Sequence, residues 1–297
     1  MTDAHDFREP AVPAGPKTFP FVHYLLGVEG LALLRSWLVG DAAASAARIA
    51  EAAELCRRWS ARSPSGDVVV EESPVPDGYE TWSASYDDSP NAVMVLADRA
   101  LERALSGIPA GRALDVACGT GRQGERLRSL GHQVVGVDRS PTMLARARQQ
   151  LPGSGLVVAD MGALPFASGG FDVVTCCLGL AHQDDLRRAV GEIGRLLRPG
   201  GHAILCDVHP TLVLLGGHAV VPLGEGRVGF VRNHHHSHSA YLKAFAEHRL
   251  DVVDSAEPVF TEECRVSMSA ATQVPEAARA AFTGLPAVLM WKLRRAR

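Results

Sequence analysis

The chain has 297 residues, 46% of them hydrophobic and 21% charged, proportions of a globular protein that exclude wholesale disorder. That length allows one large domain or two modest ones, with a full core and no need of covalent staples. A formal charge of −3 leaves no global positive field for phosphate backbones, so nucleic acid is not an expected partner.

Residues 1–18 are polar, carry Pro10, Pro13 and Pro16, and read as a flexible N-terminus. No basic stretch leads into an apolar run there, so no signal peptide is read. The most apolar early segment, from Phe19 to Gly40, contains Glu29 and Arg35 and is broken by Gly27 and Gly30, which falls short of a membrane span. The six cysteines form no CxxC framework, and Cys176 and Cys177 are adjacent. Reduced thiols and a cytoplasmic location are therefore expected, with no membrane partner.

Residues 19–60 read as two helices. Phe21, Tyr24, Leu25, Val28, Leu31, Leu34 and Leu38 recur at helical spacing, Gly40-Asp41 stops the first helix, and Asp41 can cap the second. Residues 61–90 form a connector rich in Ser, Pro, Asp and Gly. Within it Tyr79, Trp82 and Tyr86 fall on one helical face. From Pro90 onward strands and helices alternate. Helices are expected near 90–106, 121–130, 141–150 and 184–197. Strands are expected at 113–117, 133–137, 156–159, 171–177 and 202–208. Residues 209–237 read as irregular. A helix near 239–248 and strands at 251–253 and 288–293 complete the chain, and Lys292, Arg294, Arg295 and Arg297 read as a solvated basic tail. This order predicts an α/β fold with a mostly parallel sheet and helices on both faces.

Leu114-Asp115-Val116-Ala117-Cys118-Gly119-Thr120-Gly121 is a buried strand running into a glycine turn and a helix. Glycine lets the backbone approach a ligand without a Cβ in the way, and the helix start presents free N–H groups. Gly119, Gly121 and Gly124 match GxGxxG, a weak signal of a dinucleotide. Asp115 stands inside the strand, placed to meet a positive group. Asp138 ends the second strand, where an acid accepts bonds from ribose hydroxyls, whether of NAD or of another nucleoside. Asp160 ends the third strand, placed to receive an adenine amine, with Met143 and Met161 to pack on the ring faces. Asp138 and Asp160 also read as ordinary capping or turn acids.

Four stretches carry a resemblance: LDVACGTG (114–121), VDRSPTML (137–144), VVADMGALPFASGGFDVVTC (157–176) and LLRPGGHAILCDVHP (196–210). In order and spacing they resemble the class I S-adenosylmethionine-dependent methyltransferases. The resemblance implies a Rossmann-like seven-stranded sheet with an antiparallel last strand, occupying 91–297, and S-adenosylmethionine bound at the carboxyl ends of the first strands. It implies Asp115, Ala117, Gly119 and Gly121 around the methionine part, Asp138 at the ribose, Met143, Asp160 and Met161 at the adenine, and Cys177 or Leu178 beside the sulfonium. Many family members have glycine where Ala117 stands, and alanine also occurs there. Tyr79 and Tyr86 resemble aromatics that close over the cofactor; they read equally as a face packing the connector on the core.

Methyl transfer needs alignment, exclusion of water and, for some acceptors, a base. Candidates are His182 after the fourth strand, Asp207 and His209 after the fifth, and the run His234, His235, His236, His238, of which His236 is expected to reach the acceptor. His182 and His209 read as well as histidines bonded to backbone or shaping a turn. His234, His236 and His238 would share one face of an extended segment and could hold a metal, but no nearby Cys or spaced carboxylate completes a pattern, and no metal is expected.

The expected function is transfer of a methyl group from S-adenosylmethionine to a small-molecule acceptor, at oxygen before nitrogen before carbon, as in bacterial secondary metabolism. S-adenosylhomocysteine is the expected product, and the helical extension over 19–90 serves as lid or homodimer face. The alternatives are cyclisation or decarboxylation on the same fold, a non-catalytic binding module, and an NAD-dependent enzyme, ranked last.

Overall fold

The computed structural model describes residues 17–61, 68–88, 91–224, 227–264 and 269–297. The expected flexible N-terminus lies outside the described residues through residue 16, as do 62–67 and 89–90 of the connector.

The chain opens with strand β1 (Lys17–Phe19), helices α1 (Phe21–Ser36) and α2 (Ala42–Ser60), strand β2 (Val68–Glu72) and helix α3 (Val75–Trp82). The Asp41 carboxylate accepts the N–H groups of Ala43 and Ala44 and so starts α2, as its position suggests. Helix α4 (Ala92–Leu105) leads to β3 (Arg112–Val116), α5 (Arg122–Ser129), β4 (Gln133–Asp138), α6 (Pro141–Gln150), β5 (Gly155–Val158), β6 (Phe171–Cys177), α7 (Leu186–Leu196) and β7 (Leu197–Val208). Then come α8 (Pro210–Leu214), β8 (Ala219–Gly224), β9 (Arg227–Val231), α9 (His238–Glu247), β10 (Leu250–Ala256), α10 (Ser269–Gln273), α11 (Pro275–Phe282) and β11 (Val288–Arg295).

Seven strands form the main sheet in the order β10-β11-β7-β6-β3-β4-β5. Strands β7, β6, β3, β4 and β5 are parallel, while the last strand, β11, runs antiparallel between β7 and β10. The register sets Val116 beside Val137 and Cys176, so β3, β4 and β6 end at one edge. Apolar runs without alternation bury these strands on both faces. Leu186, Val190, Ile193 and Phe245 of α7 and α9 cover one face. Leu96, Leu101, Leu105 and Leu127 of α4 and α5 cover the other. Leu101 and Leu127 are wholly buried, and each such side chain contributes about 1.5–3 kcal/mol of transfer free energy.

Three expectations are corrected. The segment 209–237 is not irregular throughout: β8 and β9 form an antiparallel hairpin within a second sheet, ordered β1-β2-β9-β8. Pro222 and Gly224 in β8 and Gly229 in β9 hide the alternation of a strand pair. The basic C-terminal run is not a tail, since Lys292, Arg294 and Arg295 belong to β11 and the Arg295 guanidinium donates to the carbonyls of Arg195, at 3.0 Å, and Leu197. On α1, Leu25 and Val28 are buried against α10 and α11, but Leu34 and Leu38 of the expected face are exposed. The segment before residue 91 is laced into the rest: β2 pairs with β9 in parallel and α1 packs on α11.

Candidate active site

At the end of β3 the backbone turns sharply. Ala117 (φ +54°) and Gly119 (φ +53°) adopt the left-handed region, and Gly121 (φ +93°) starts α5. The three glycines of the GxGxxG pattern serve different ends. A Cβ on Gly119 would meet nothing within 4 Å, so its bare backbone faces open space. A Cβ on Gly121 or Gly124 would come within 3.1 and 2.7 Å of the Leu151 side chain, so these two let α5 pack against the end of α6. Leu178, just after β6, is also left-handed (φ +57°), and a Cβ on the following Gly179 would lie 2.7 Å from that of Ala117. Strained backbone of this kind gathers where a fold shapes a site.

These turns surround one open cleft of about 610 Å³, a figure that includes the solvent at its mouth. Tyr79, Tyr86, Ala117, Gly119, Asp138, Met143, Met161, Cys177, Leu178 and His182 all line it. The sequence reading missed Gln183 and Arg139 among its polar walls and Val75 among its apolar ones. Arg139 follows Asp138 directly and Gln183 follows His182, so only their neighbourhood to expected residues signalled them.

The four acids differ. Asp138 accepts Gly119 N–H on one carboxylate oxygen (2.9 Å) and Ser140 N–H on the other (2.8 Å), and burial raises its pKa. Asp115 does not line the cavity. It is buried beneath the glycine turn, accepts the Thr175 hydroxyl at 2.8 Å, and burial pushes it up to about 7. Asp160 lies beside the lining residues Ala159 and Met161, half exposed, 3.6 Å from Arg139, and accepts Gly162 N–H. Asp207 is buried behind the cavity, accepts the N–H groups of Ala181 (2.9 Å) and Val208 (2.7 Å), and is pushed up to about 6 by burial. It shapes the turn that carries His182.

Of the candidate histidines, His182 alone lines the cavity. Its Nδ1 lies 2.8 Å from the Arg232 carbonyl and its Nε2 lies 2.8 Å from the Tyr79 hydroxyl. A carbonyl only accepts, so Nδ1 carries the proton and Nε2 accepts from Tyr79. Burial pushes the imidazole down to about 4. Tyr79 in turn packs against Trp82 and Tyr86, with centroids 5.8 and 6.0 Å apart. The expectation that His236 reaches an acceptor is not met: its Nε2 donates to the Gln183 carbonyl at 2.8 Å and its ring packs edge-on against Tyr241. His209 also lies off the cavity, its backbone N–H bonded to the Ala287 carbonyl. The histidine run divides, with His234 and His236 stacked at 6.4 Å while His238 opens α9 and pairs with Glu257.

Residues 114–205 match the model of a methyltransferase domain family. The chain carries a class I S-adenosylmethionine-dependent methyltransferase domain. The resemblance read from the four motifs stands. The methyltransferase domain is 42% identical over 118 residues to a demethylmenaquinone methyltransferase of Thermus thermophilus, a match covering 38% of this chain and 53% of that one. It is 43% identical over 90 residues to a malonyl-[acyl-carrier protein] O-methyltransferase of Enterobacter lignolyticus, covering 30% and 36%. The chain thus spans about half the length, or less, of these curated relatives. A crystal structure of an S-adenosylmethionine-dependent methyltransferase from Mesorhizobium loti superposes with a TM-score of 0.51 at 25% identity, over 67% of this chain and 98% of that one. S-adenosylmethionine is the cofactor the family implies. Among the described residues no helix is long and apolar enough to cross a membrane.

Proposed function

We propose that the protein transfers the methyl group of S-adenosylmethionine to a small-molecule acceptor, with oxygen as the first choice of acceptor atom, then nitrogen, then carbon. The observation that carries this is the cavity itself, which gathers Gly119, Asp138, Met143, Met161, Tyr79 and His182 from five separate stretches. The chemistry of the lining residues suits the cofactor. Gly119 leaves space where any side chain would intrude. The Asp138 carboxylate takes backbone donors from Gly119, Ser140 and Arg139 and, with about four acceptor positions, keeps room for a ribose hydroxyl. Met143 and Met161 are apolar walls for the adenine, and Asp160 stands at its edge. Ala117 and Cys177 are neighbours for the methionine and sulfonium side, with Tyr79 and Tyr86 offering ring faces to the positive sulfur. Asp115 and Gly121 act from beneath by holding the turn.

When bound, the cofactor supplies a methyl group already activated for in-line displacement. The chain's part is to bind, to exclude water and to move a proton. The acceptor gives its proton to the Tyr79 hydroxyl oxygen as the Tyr79 proton passes to His182 Nε2, 2.8 Å away. A buried imidazole resists this charge, which is why His182 is neutral beforehand. With the cofactor bound, transfer would spend the sulfonium charge, so a proton taken by His182 would add no net charge to the cavity. Asp207 positions His182, whereas His209 and His236 serve other contacts.

The cavity is roofed by α3, which sits on the β1-β2-β9-β8 sheet. We assign this part of the extension over 19–90 as the lid. Trp37, Leu38 and Val39, each more than 75% exposed just after α1, support a homodimer face there. We take the acceptor to be a small molecule of the secondary-metabolism kind.

Isothermal titration with S-adenosylmethionine and S-adenosylhomocysteine, with NAD as control, tests the cofactor. Micromolar binding of both adenosyl ligands and none of NAD is expected. Binding of NAD alone would overturn the reading. Release of S-adenosylhomocysteine in the presence of phenolic, hydroxyl and amine acceptors tests transfer. An acceptor converted with no release would assign the cavity to cyclisation or decarboxylation.

A further inference from the structure

His209, His238 and Glu257 come from three elements: the turn after β7, the first residue of α9 and the residue after β10. One ligand atom from each lies within 4.8 Å of the other two. His238 Nε2 is 3.0 Å from one Glu257 oxygen, and His209 Nε2 is 3.5 Å from the other. Zinc bonds of about 2.0–2.1 Å set tetrahedral ligands roughly 3.3 Å apart, so ligand atoms already within 4.8 Å of one another need close by no more than about 1.5 Å. The His209 side chain is 5% exposed, and its Nε2 is a buried polar atom with no hydrogen-bond partner. It is aimed at the Glu257 carboxylate across a gap too long for a good bond. A buried polar atom left in this way costs free energy that an ion would return. The two rings lie 5.4 Å apart, and Trp291 packs edge-on against His238 to hold its plane.

We propose that these three side chains form a transition-metal site of the zinc class, with a fourth position open to solvent. Two neutral imidazoles and one carboxylate are the ligand set of such three-ligand sites, and the open position takes water or an anionic oxygen. The opening lies on the side where His238 and Glu257 are each more than 40% exposed. Coordination through Nε2 requires the His209 proton on Nδ1. That nitrogen now accepts Thr211 N–H at 3.2 Å, so metal uptake loosens the cap of the five-residue α8. The site is distinct from the expected His234, His236, His238 set, which the start of α9 splits apart.

The test uses full-length protein stripped with chelator, titrated calorimetrically with Zn²⁺, and its His238→Ala and Glu257→Gln variants. Both substitutions fall at partly exposed side chains, and circular dichroism checks that the fold is kept. The expected result is one equivalent bound more tightly than about 10 µM. Affinity should fall at least about tenfold in each variant, and the rise in Tm on adding Zn²⁺ should be lost with it. Co²⁺ in place of Zn²⁺ should give the intense visible absorption of a four-coordinate ion in the parent protein alone. Weaker binding in the parent, or variants that bind as it does, would overturn the proposal. None of these three readouts depends on methyl transfer, so failure here leaves the cofactor assignment standing.

Discussion

Asp138 and the pair Tyr79–His182 carry the proposed chemistry, and each can be removed alone. Replacing Asp138 by Ala removes the proposed acceptor for ribose hydroxyls and the carboxylate that holds the N–H groups of Gly119 and Ser140. The expected loss in S-adenosylmethionine binding is about 1.5–3 kcal/mol, with a lower Tm because the glycine turn loses its tether. Unchanged affinity in calorimetry would remove the ribose assignment. Tyr79→Phe keeps the ring over the cavity and deletes the proton relay. We expect kcat to fall by about 10²-fold while cofactor affinity changes little. The parent enzyme should show no loss of activity with the ordinary histidine midpoint near 6.5, because burial pushes His182 down to about 4. Any fall near pH 6–7 belongs to the buried Asp115 and Asp207, and a Tyr79→Phe profile of the same shape checks this. Asp138, Met143 and Met161 were legible because they stand at fixed offsets from strand ends. The Tyr79–His182 bond was not, since its partners are 103 residues apart. His236 misled for a related reason: a run of histidines says nothing of which carbonyl lies opposite it.

Among the elements, α3 bears most directly on the site, because it holds Val75 and Tyr79 at the cavity and rests on β8 and β9. Its close approach depends on Gly78, where a Cβ would fall 2.4 Å from a methyl group of Val231. Gly78→Val should therefore push α3 off the small sheet, at a cost of about 1–3 kcal/mol in stability. Tyr79 would move with it, so turnover should fall more than stability explains. Normal kinetics in that variant would show that α3 is not the roof. Helices α5, α6 and α7 and strands β3, β4 and β6 were readable from the alternation of strand and helix patterns after residue 90. The β8–β9 hairpin was not, because its short strands are secured by β1 and β2, which no local window contains.

On the scale of the whole molecule, α1 and α2 enclose an acid that ties stability to pH. Glu29 is 1% exposed, 3.6 Å from Arg48, and neither of its carboxylate oxygens has a hydrogen-bond partner. Burial, reinforced by Glu51, raises it to about 7. The folded state thus keeps a proton that the unfolded chain releases near 4.5, and stability is lost as pH rises between those values. In Glu29→Gln this loss is absent. The Tm of the variant minus that of the parent should grow from pH 5 to pH 8 and then level off; a constant difference in thermal scans would show that Glu29 is ionised throughout. The parallel sheet and its antiparallel last strand were legible as a whole, because a single order of strands and motifs specifies them. The second sheet draws on both sides of the molecule, and the Arg232 guanidinium that grips Glu72 across it reaches 160 residues along the chain. Such pairing has high contact order, and β2 has no parallel neighbour until β9 has left the ribosome. The roof of the cavity is therefore the last part to assemble and the first to come apart, so competence to bind a ligand trails the collapse of the core.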